Sequence, residues 1–307
     1  MRTRGLSGST LKIIAITAML IDHIGAVVLE SWMHRPRSMA LYYTLYHYDL
    51  LLRGIGRLGF PLFAFLLTEG YVHTSNRWKY ARNLFVFALL SEIPFDLAFQ
   101  HCLYAGWSQN VFFTLLIALL TIMAIDHFAF HSKWPDACSW LFYPCAILLS
   151  ADLAWQLING IGLALLVPAA ALWIAGGILC IILIFSGTHR TPQERNTFTF
   201  CVLPLLLGIA AGDLLQTDYS GLGVFTITLI WLLRNEPAAA MAAGCTLLSA
   251  GNAYEIPTLL TIPLVRSYNG SRGLRIKYLF YLFYPCHLLI LYGIAYFLGF
   301  AGFALTG

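Results

Sequence analysis

Ionisable side chains lie within long apolar stretches of this sequence, where each charge needs a partner. Asp22 and His23 directly follow the run Ile-Ala-Ile-Thr-Ala-Met-Leu-Ile. A charge at the centre of a bilayer is costly, so an ionisable residue in such a stretch is a functional candidate by default. Other polar residues occur in apolar stretches or at their ends, at Arg57, Glu69, Glu92, Asp96, Asn110, Asp152, Asp213, Asp218, Glu255 and His287.

His23 is a candidate general base, because histidine is the side chain whose unperturbed pKa lies nearest neutrality. Adjacent residues on a helix diverge by about 100°, so we do not expect Asp22 and His23 to pair with each other. Glu92 and Asp96 are four residues apart and share one helix face. Arg57 is the expected counter-ion for one or two acids, since its guanidinium stays charged and binds carboxylates through two parallel hydrogen bonds. The partners of His23 are therefore expected on another helix.

The composition defines the medium in which these residues lie. Of 307 residues, 59% are hydrophobic and 10% are charged, and the mean hydropathy is +0.75. A soluble domain has fewer apolar and many more charged residues. The apolar runs lack the alternation of a transmembrane β-barrel. The sequence therefore predicts an all-α polytopic transmembrane helical bundle of about 10 to 11 spans, forming a single domain over residues 1–307.

The positive charges predict the orientation of the bundle. Lys and Arg recur in every other connection, which places those connections and the N-terminus in the cytoplasm. The connection 31–53 is an exception, since Arg35, Arg37 and Arg53 would lie outside. The predicted spans are 10–30, 54–73, 81–99, 110–127, 138–152, 161–186, 197–213, 221–234, 238–252, 256–265 and 278–300, the tenth being short enough for a half-helix.

Several other functions receive no support from the sequence. The net charge of +4 is modest and reports topology, so we expect no nucleic-acid partner. The seven cysteines form no Cys-x-x-Cys pair, and we expect neither a disulfide framework nor a metal site. No phosphate-binding loop, nucleophile elbow or zinc-protease motif is found. Residues 152–162 and 213–223 resemble each other, each with an acid and two glycines, and are consistent with a duplicated corner at outer helix ends.

Five segments resemble, in family order, the signature blocks of the TraX family. The first ends in Met-Leu-Ile-Asp-His-Ile-Gly, and the second begins Gly-Arg-Leu-Gly-Phe-Pro. The five blocks are 11–25, 56–70, 91–96, 110–114 and 277–287.

The resemblance implies a multi-pass protein of the bacterial inner membrane. The best-known TraX member is needed for N-terminal acetylation of a conjugative pilin, and the family is related to multispanning acyltransferases. The resemblance thus implies an acyltransferase with acetyl-CoA as donor, a pilin peptide or a saccharide as acceptor, and membrane lipid as surroundings. On this pattern His23 corresponds to the histidine of the first helix, and the other polar block positions are Arg57, Glu69, Glu92, Asp96, Asn110 and His287.

A mechanism follows as a hypothesis. His23, or alternatively His287, removes a proton from the acceptor, while Glu92 or Asp96 orients the imidazole. Arg57 or Asn110 balances the charge on the tetrahedral oxyanion. We also name Asp22 as a catalytic candidate, and the candidates for substrate binding are Glu69, Asn110, Asp213, Asp218 and Tyr281, with Arg272, Arg275 and Lys277 for the phosphates of coenzyme A.

Two other classes of protein remain open. A small-molecule transporter or flippase would also use intramembrane acids, histidines and a broken helix, because such proteins bind substrate near the membrane midplane. A non-catalytic membrane scaffold for an envelope assembly is the third reading. Acyl transfer and transport are distinguished by product formation from labelled acetyl-CoA on the one hand and by vesicle uptake on the other.

Overall fold

The computed structural model describes residues 5–34, 38–274 and 277–305, the backbone alone at 277–280, and it is a bundle of helices. Its first half contains α1 Gly8–His23, the π-helical Ile24–Leu29, α2 Glu30–Met33, α3 Met39–Gly56, α4 Gly59–His73, α5 Arg77–Gln100, α6 Val111–Ile125 and the π-helical Asp126–His131. Its second half contains the 3₁₀ turn Asp136–Leu141, α7 Phe142–Asn159, the 3₁₀ turn Leu163–Leu165, α8 Ala169–Thr188, α9 Pro192–Leu214, α10 Ser220–Leu232, α11 Pro237–Gly251, the 3₁₀ helix Ala253–Leu260, α12 Thr261–Arg266 and α13 Lys277–Phe297.

The lengths and compositions of these helices are those of a multi-pass membrane protein. In the described residues, seven continuous helical segments are long and apolar enough to cross a membrane, and three shorter apolar helices accompany them. The prediction of a polytopic helical bundle is confirmed. Helix α8 shows the effect of a lipid environment most clearly, since Ile174, Ile181 and Phe185 are all exposed. The central helices are α4, α6 and α10, whose Leu62, Ile122 and Ile227 are fully buried.

Backbone hydrogen bonds between loops define the two ends of the bundle. At one end, which we call the amino face, the N–H groups of Leu6, Gly8 and Ser9 donate to carbonyl groups of residues 267–272. At the other end, the far face, Gln109 N donates to Gln216 O at 3.1 Å. Successive long helices run alternately between these faces, as the charge pattern of the connections predicts. The cytoplasmic assignment of the amino face stays a prediction.

Short polar caps begin several of the helices. Ser7, Asn76 and Asn110 each accept a hydrogen bond from a backbone N–H in the first turn that follows. Thr191 and Glu194 form a reciprocal capping box at α9, with Pro192 at the first helical position. These capping residues determine where the helices begin, and the lengths of the apolar runs determine where they end.

The prediction of an external connection at 31–53 is wrong. Most of it is α3, which packs along α1 and continues through a short break into α4. The reason for the error is composition, because tyrosines, Asp49 and Arg53 lower the hydropathy of a helix whose polar face meets another polar face. Arg53 consequently points into the bundle, where it binds Asp22, and Arg35 and Arg37 lie outside the described residues.

Three other boundaries differ from the predicted ones. Helix α7 ends at Asn159, seven residues later than predicted, and α8 begins only at Ala169. The predicted half-helix at 256–265 is a 3₁₀ helix followed by the six-residue α12. Proline at 257 lacks the N–H that a continuous α-helix would need there, which favours this irregular segment.

Candidate functional site

A network of ion pairs joins three elements of the bundle at Asp22. One oxygen of Asp22 lies 2.5 Å from Arg53 Nη1, and the other lies 2.7 Å from Arg57 Nη2. Arg57 Nη1 also donates to Glu255 Oε1 at 2.8 Å. Asp22 and Glu255 are only 7% and 3% exposed. Two buried carboxylates therefore share one guanidinium, and Arg57 links α3 with both α1 and the 3₁₀ helix Ala253–Leu260.

A pair of histidines lies beside this network. His23 Nδ1 and His287 Nε2 are 2.6 Å apart, and the two rings are parallel to within 3°. His287 Nδ1 lies 2.7 Å from the carbonyl oxygen of Phe283, which can only accept. His287 Nδ1 therefore carries the proton, and in the neutral pair its Nε2 accepts from His23 Nδ1. This leaves the lone pair of His23 on Nε2, the nitrogen 4.0 Å from Asp22 Oδ2.

Glycines and an irregular helix bring these groups together. The helix α1 changes to a π-helix at Ile24, directly after His23, and π-helical turns are frequent at functional sites. A Cβ atom at Gly56 would overlap the Asp22 carboxyl group, and one at Gly25 would lie 2.7 Å from Asp49 Oδ1. Hydrogen at these two positions allows α1 and α3 to approach closely enough for ion pairing.

Aromatic rings surround the histidine pair. Phe99 packs against His23 in an edge-to-face arrangement with 5.4 Å between ring centroids, and Tyr284 packs against both histidines. Tyr219 stacks on Phe60 at 3.6 Å on the α10 side. Both histidines are buried, His23 being 8% and His287 5% exposed, so electrostatic interactions there are stronger than at the surface.

Asp218, in the far-face connection between α9 and α10, interacts with the ion-pair network. Asp218 has exposed surface, yet it lies within electrostatic range of Arg57, Asp22 and Glu255. Neighbouring protein atoms partly desolvate its carboxyl group, and this raises the pKa of Asp218 to about 6. Arg57 acts in the opposite direction and lowers that pKa. We call Asp22, His23, Arg53, Arg57, Glu255 and His287, with Asp218 at the far face, the His23 centre.

The carboxylates expected to orient His23 have other partners. Glu92 forms a short hydrogen bond with Asn110 Nδ2, and Asp96 Oδ2 accepts from the N–H of Ala105 at 2.8 Å. His287 occupies the position beside His23 that we expected an acid to take, so that expectation is wrong. Glu92 and Asp96 stabilise the corner between α5 and α6.

Asn110 and Arg57, the two side chains proposed to stabilise the oxyanion, differ in the number of N–H groups that have no protein acceptor. Asn110 Nδ2 already donates to Glu92 and to the carbonyl of Ala88. Arg57 has five N–H groups, of which three have protein acceptors. Arg57 therefore retains two N–H groups for a substrate oxygen, whereas Asn110 has none.

The remaining substrate-binding candidates do not converge on His23. Glu69 accepts from Tyr268 OH near the amino face, and Tyr281 stacks on Phe87 with 4.6 Å between centroids. Asp213 accepts from Gly221 N at the start of α10. Arg272 is exposed on the amino face, and both Arg275 and the side chain of Lys277 lie outside the described residues.

Sequence reasoning did not select two residues of the centre. Arg53 was assigned to an external connection, although it precedes Arg57 by four residues and so shares its helix face. Glu255 was noted at a helix end but not as a site residue. A search for acids facing an Arg-x-x-x-Arg pair would have identified both partners.

The class of protein follows from fold and centre together. The chain is a multi-pass membrane protein with a buried histidine pair and an ion-pair network, and no group of three or more His, Cys, Asp or Glu in its described part is arranged to hold a metal ion.

Comparison with known proteins specifies the family. The family model described as TraX protein matches residues 7–165 and 145–295, so the chain belongs to the TraX family. The probable fimbrial assembly protein FimC, serogroup H1, of Dichelobacter nodosus is 28% identical over 302 residues, which cover 94% of this chain and 96% of that protein. No solved structure matches the chain.

Proposed function

We propose that this protein is a membrane-embedded acyltransferase that moves an acetyl group from acetyl-CoA to an amine or hydroxyl acceptor, such as the N-terminus of a pilin subunit. Membership of the TraX family and similarity to a protein named for fimbrial assembly support a role connected with pili. The observation that carries the chemistry is the hydrogen-bonded pair of His23 and His287, which leaves His23 Nε2 free to accept a proton.

The proposed reaction uses His23 as general base. Its Nε2 takes a proton from the acceptor nitrogen or oxygen as that atom forms a bond to the thioester carbonyl carbon. The carbon–sulfur bond then breaks, and the proton passes from His23 to the leaving thiolate. Asp22, 4.0 Å from Nε2, stabilises the imidazolium that exists between these two steps. The free N–H groups of Arg57 balance the charge on the carbonyl oxygen.

The charge of the surroundings favours a cationic acceptor. Five carboxylates, Asp22, Glu30, Asp49, Asp218 and Glu255, interact with one another and with Arg53 and Arg57. With all of them ionised, five negative charges exceed two positive charges by three. An ammonium group entering from the far face is attracted by this excess. It releases one proton to solvent, and the neutral amine then attacks as His23 takes the second proton.

A transfer assay with two peptides tests this proposal. Purified full-length protein in detergent is incubated with radiolabelled acetyl-CoA and a peptide that has either a free or a blocked N-terminus. We expect label on the free peptide alone, and we expect His23→Ala to lower the rate by about 10²- to 10⁴-fold. His127→Ala is the matched control, because His127 follows the same Met-x-Ile-Asp sequence but is exposed.

Absence of labelled product, together with thiol release no greater than that of His23→Ala, would overturn acyl transfer. One observation then favours a transporter, namely the irregular segment that presents Glu255 to Arg57, since discontinuous helices form substrate sites in transporters. Uptake of peptide or small amines into proteoliposomes, abolished by Glu255→Gln, would support that reading.

A further inference from the structure

A groove on the lipid-facing side of the bundle contains a carboxyl group that acyl transfer does not use. It has a volume of about 390 Å³ and lies between α7, α8 and α9. Its walls are almost entirely apolar, and its lining residues are Leu148, Ala151, Asp152, Trp155, Trp173 and Leu206. We call it the α7 groove.

Asp152 is the unusual member of this lining. Its Oδ2 atom is buried and has no hydrogen-bond partner among the described residues. Asp213, the matching acid of the similar segment 213–223, is satisfied by contrast, because it accepts from Gly221 N at 2.7 Å and from Gln156 Nε2 at 3.0 Å. A carboxylate within a membrane span needs a cation or a hydrogen-bond donor. The Gln156 amide interacts with both acids, but no Lys or Arg of the described residues lines the groove, so Asp152 Oδ2 is left without a cation or a donor.

Two tryptophans make the groove suitable for an ammonium group. Trp155 and Trp173 are 57% and 47% exposed, and both line the same space as Asp152. Indole rings attract ammonium groups through their faces, and they favour the boundary between headgroups and hydrocarbon. Asp152 lies seven residues before the end of α7 at the far face, a depth of about 10 Å, which is near that boundary.

We propose that the α7 groove binds an aminophospholipid of the far-face leaflet, with its ammonium group on Asp152 between Trp155 and Trp173. Leu148 and Leu206 contact the start of its acyl chain. A lipid fits better than a peptide because the groove opens to the lipid phase and its walls are apolar apart from Asp152. This site is separate from the His23 centre and does not depend on the proposed acyl transfer.

Native mass spectrometry of the full-length protein tests the site. The protein is released from micelles containing equal amounts of phosphatidylethanolamine and phosphatidylglycerol with identical chains. We expect phosphatidylethanolamine to be retained in about tenfold excess, the effect of one charge-assisted hydrogen bond. Asp152→Asn removes the preference, and Ala151→Trp, which fills the groove without changing charge, removes the bound lipid. Asp136→Asn, an exposed acid near the amino face, is the control and keeps the preference.

Equal retention of the two lipids by the wild type, or an unchanged preference in Asp152→Asn, would overturn the proposal. Displacement of lipid by an apolar helical peptide with a free N-terminal amine, without any lipid preference, would assign the groove to a peptide instead and equally overturn it. The unfolding temperature of each variant is measured in the same detergent, and Ala151→Trp supplies a second test should Asp152→Asn not fold.

Discussion

The pattern Met-x-Ile-Asp-His occurs twice in this protein, but the two copies have different surroundings. Asp22 and Asp126 are similarly buried, 7% and 8% exposed, and each binds arginine. A π-helical turn follows or includes both copies. His23, however, is buried against His287 of α13, whereas the matching His127 is exposed. The local sequence thus determines the buried acid, and the helix packed beside it determines whether the histidine has a partner.

The largest expected difference between the two copies is in stability. Asp22→Asn leaves Arg53 and Arg57 short of a carboxylate in the interior, which should cost about 3 to 5 kcal/mol. Asp126→Asn should cost about 1 to 2 kcal/mol, because the side chain of its partner Arg77 is 44% exposed and remains hydrated. Denaturant unfolding in detergent measures both. Equal losses would show that the two acids are equivalent.

The histidine pair provides the next largest effect. His287→Ala removes the acceptor that holds His23 Nδ1–H, and we expect kcat to fall by about 10- to 100-fold, within the range for general-base catalysis. His287→Gln supplies a side-chain carbonyl oxygen as acceptor and should restore part of the rate. A purely structural role for His287 would instead give parallel losses of rate and unfolding temperature, with no recovery in His287→Gln.

The smallest expected effect is a change in thermal stability on substituting Asp218, an acid of the His23 centre. Because its folded-state pKa is raised to about 6, the ionised form is less stable in the folded protein, and this cost grows as pH rises toward 6. Asp218 is exposed, so solvent screening reduces the cost to about 1 kcal/mol. Asp218→Asn should therefore raise Tm by about 2 °C at pH 7.5.

The same substitution should have almost no effect near pH 4, where Asp218 is protonated in the folded protein. Thermal unfolding at the two pH values measures the difference. A rise in Tm that is the same at both values would contradict an elevated pKa and would point to a change in packing.

Much of the fold was accessible from the sequence, because lipid forces the backbone into helices and the apolar runs set their lengths. The error at α3 has a physical origin, since hydropathy scores Asp49 and Arg53 as if they faced lipid. The side-chain contacts between helices were harder to predict than the helices themselves. Spacing identified Arg57 as a counter-ion, but it argued against the contact of Asp22 with His23 that the structure shows at 4.0 Å. It also contained no information that α13 brings His287 to α1. That contact depends on the packing of the first and last helices.

The partners of α1 lie at very different distances along the chain. Arg53 and Arg57 follow Asp22 by 31 and 35 residues, but His287 follows His23 by 264. During synthesis, which proceeds from the N-terminus, the arginines are available to neutralise Asp22 soon after the first hairpin enters the membrane. The partner of His23, His287, becomes available only after α13 has been inserted. The histidine pair is therefore completed later in biogenesis than the ion pairs that neutralise the charge on the first helix.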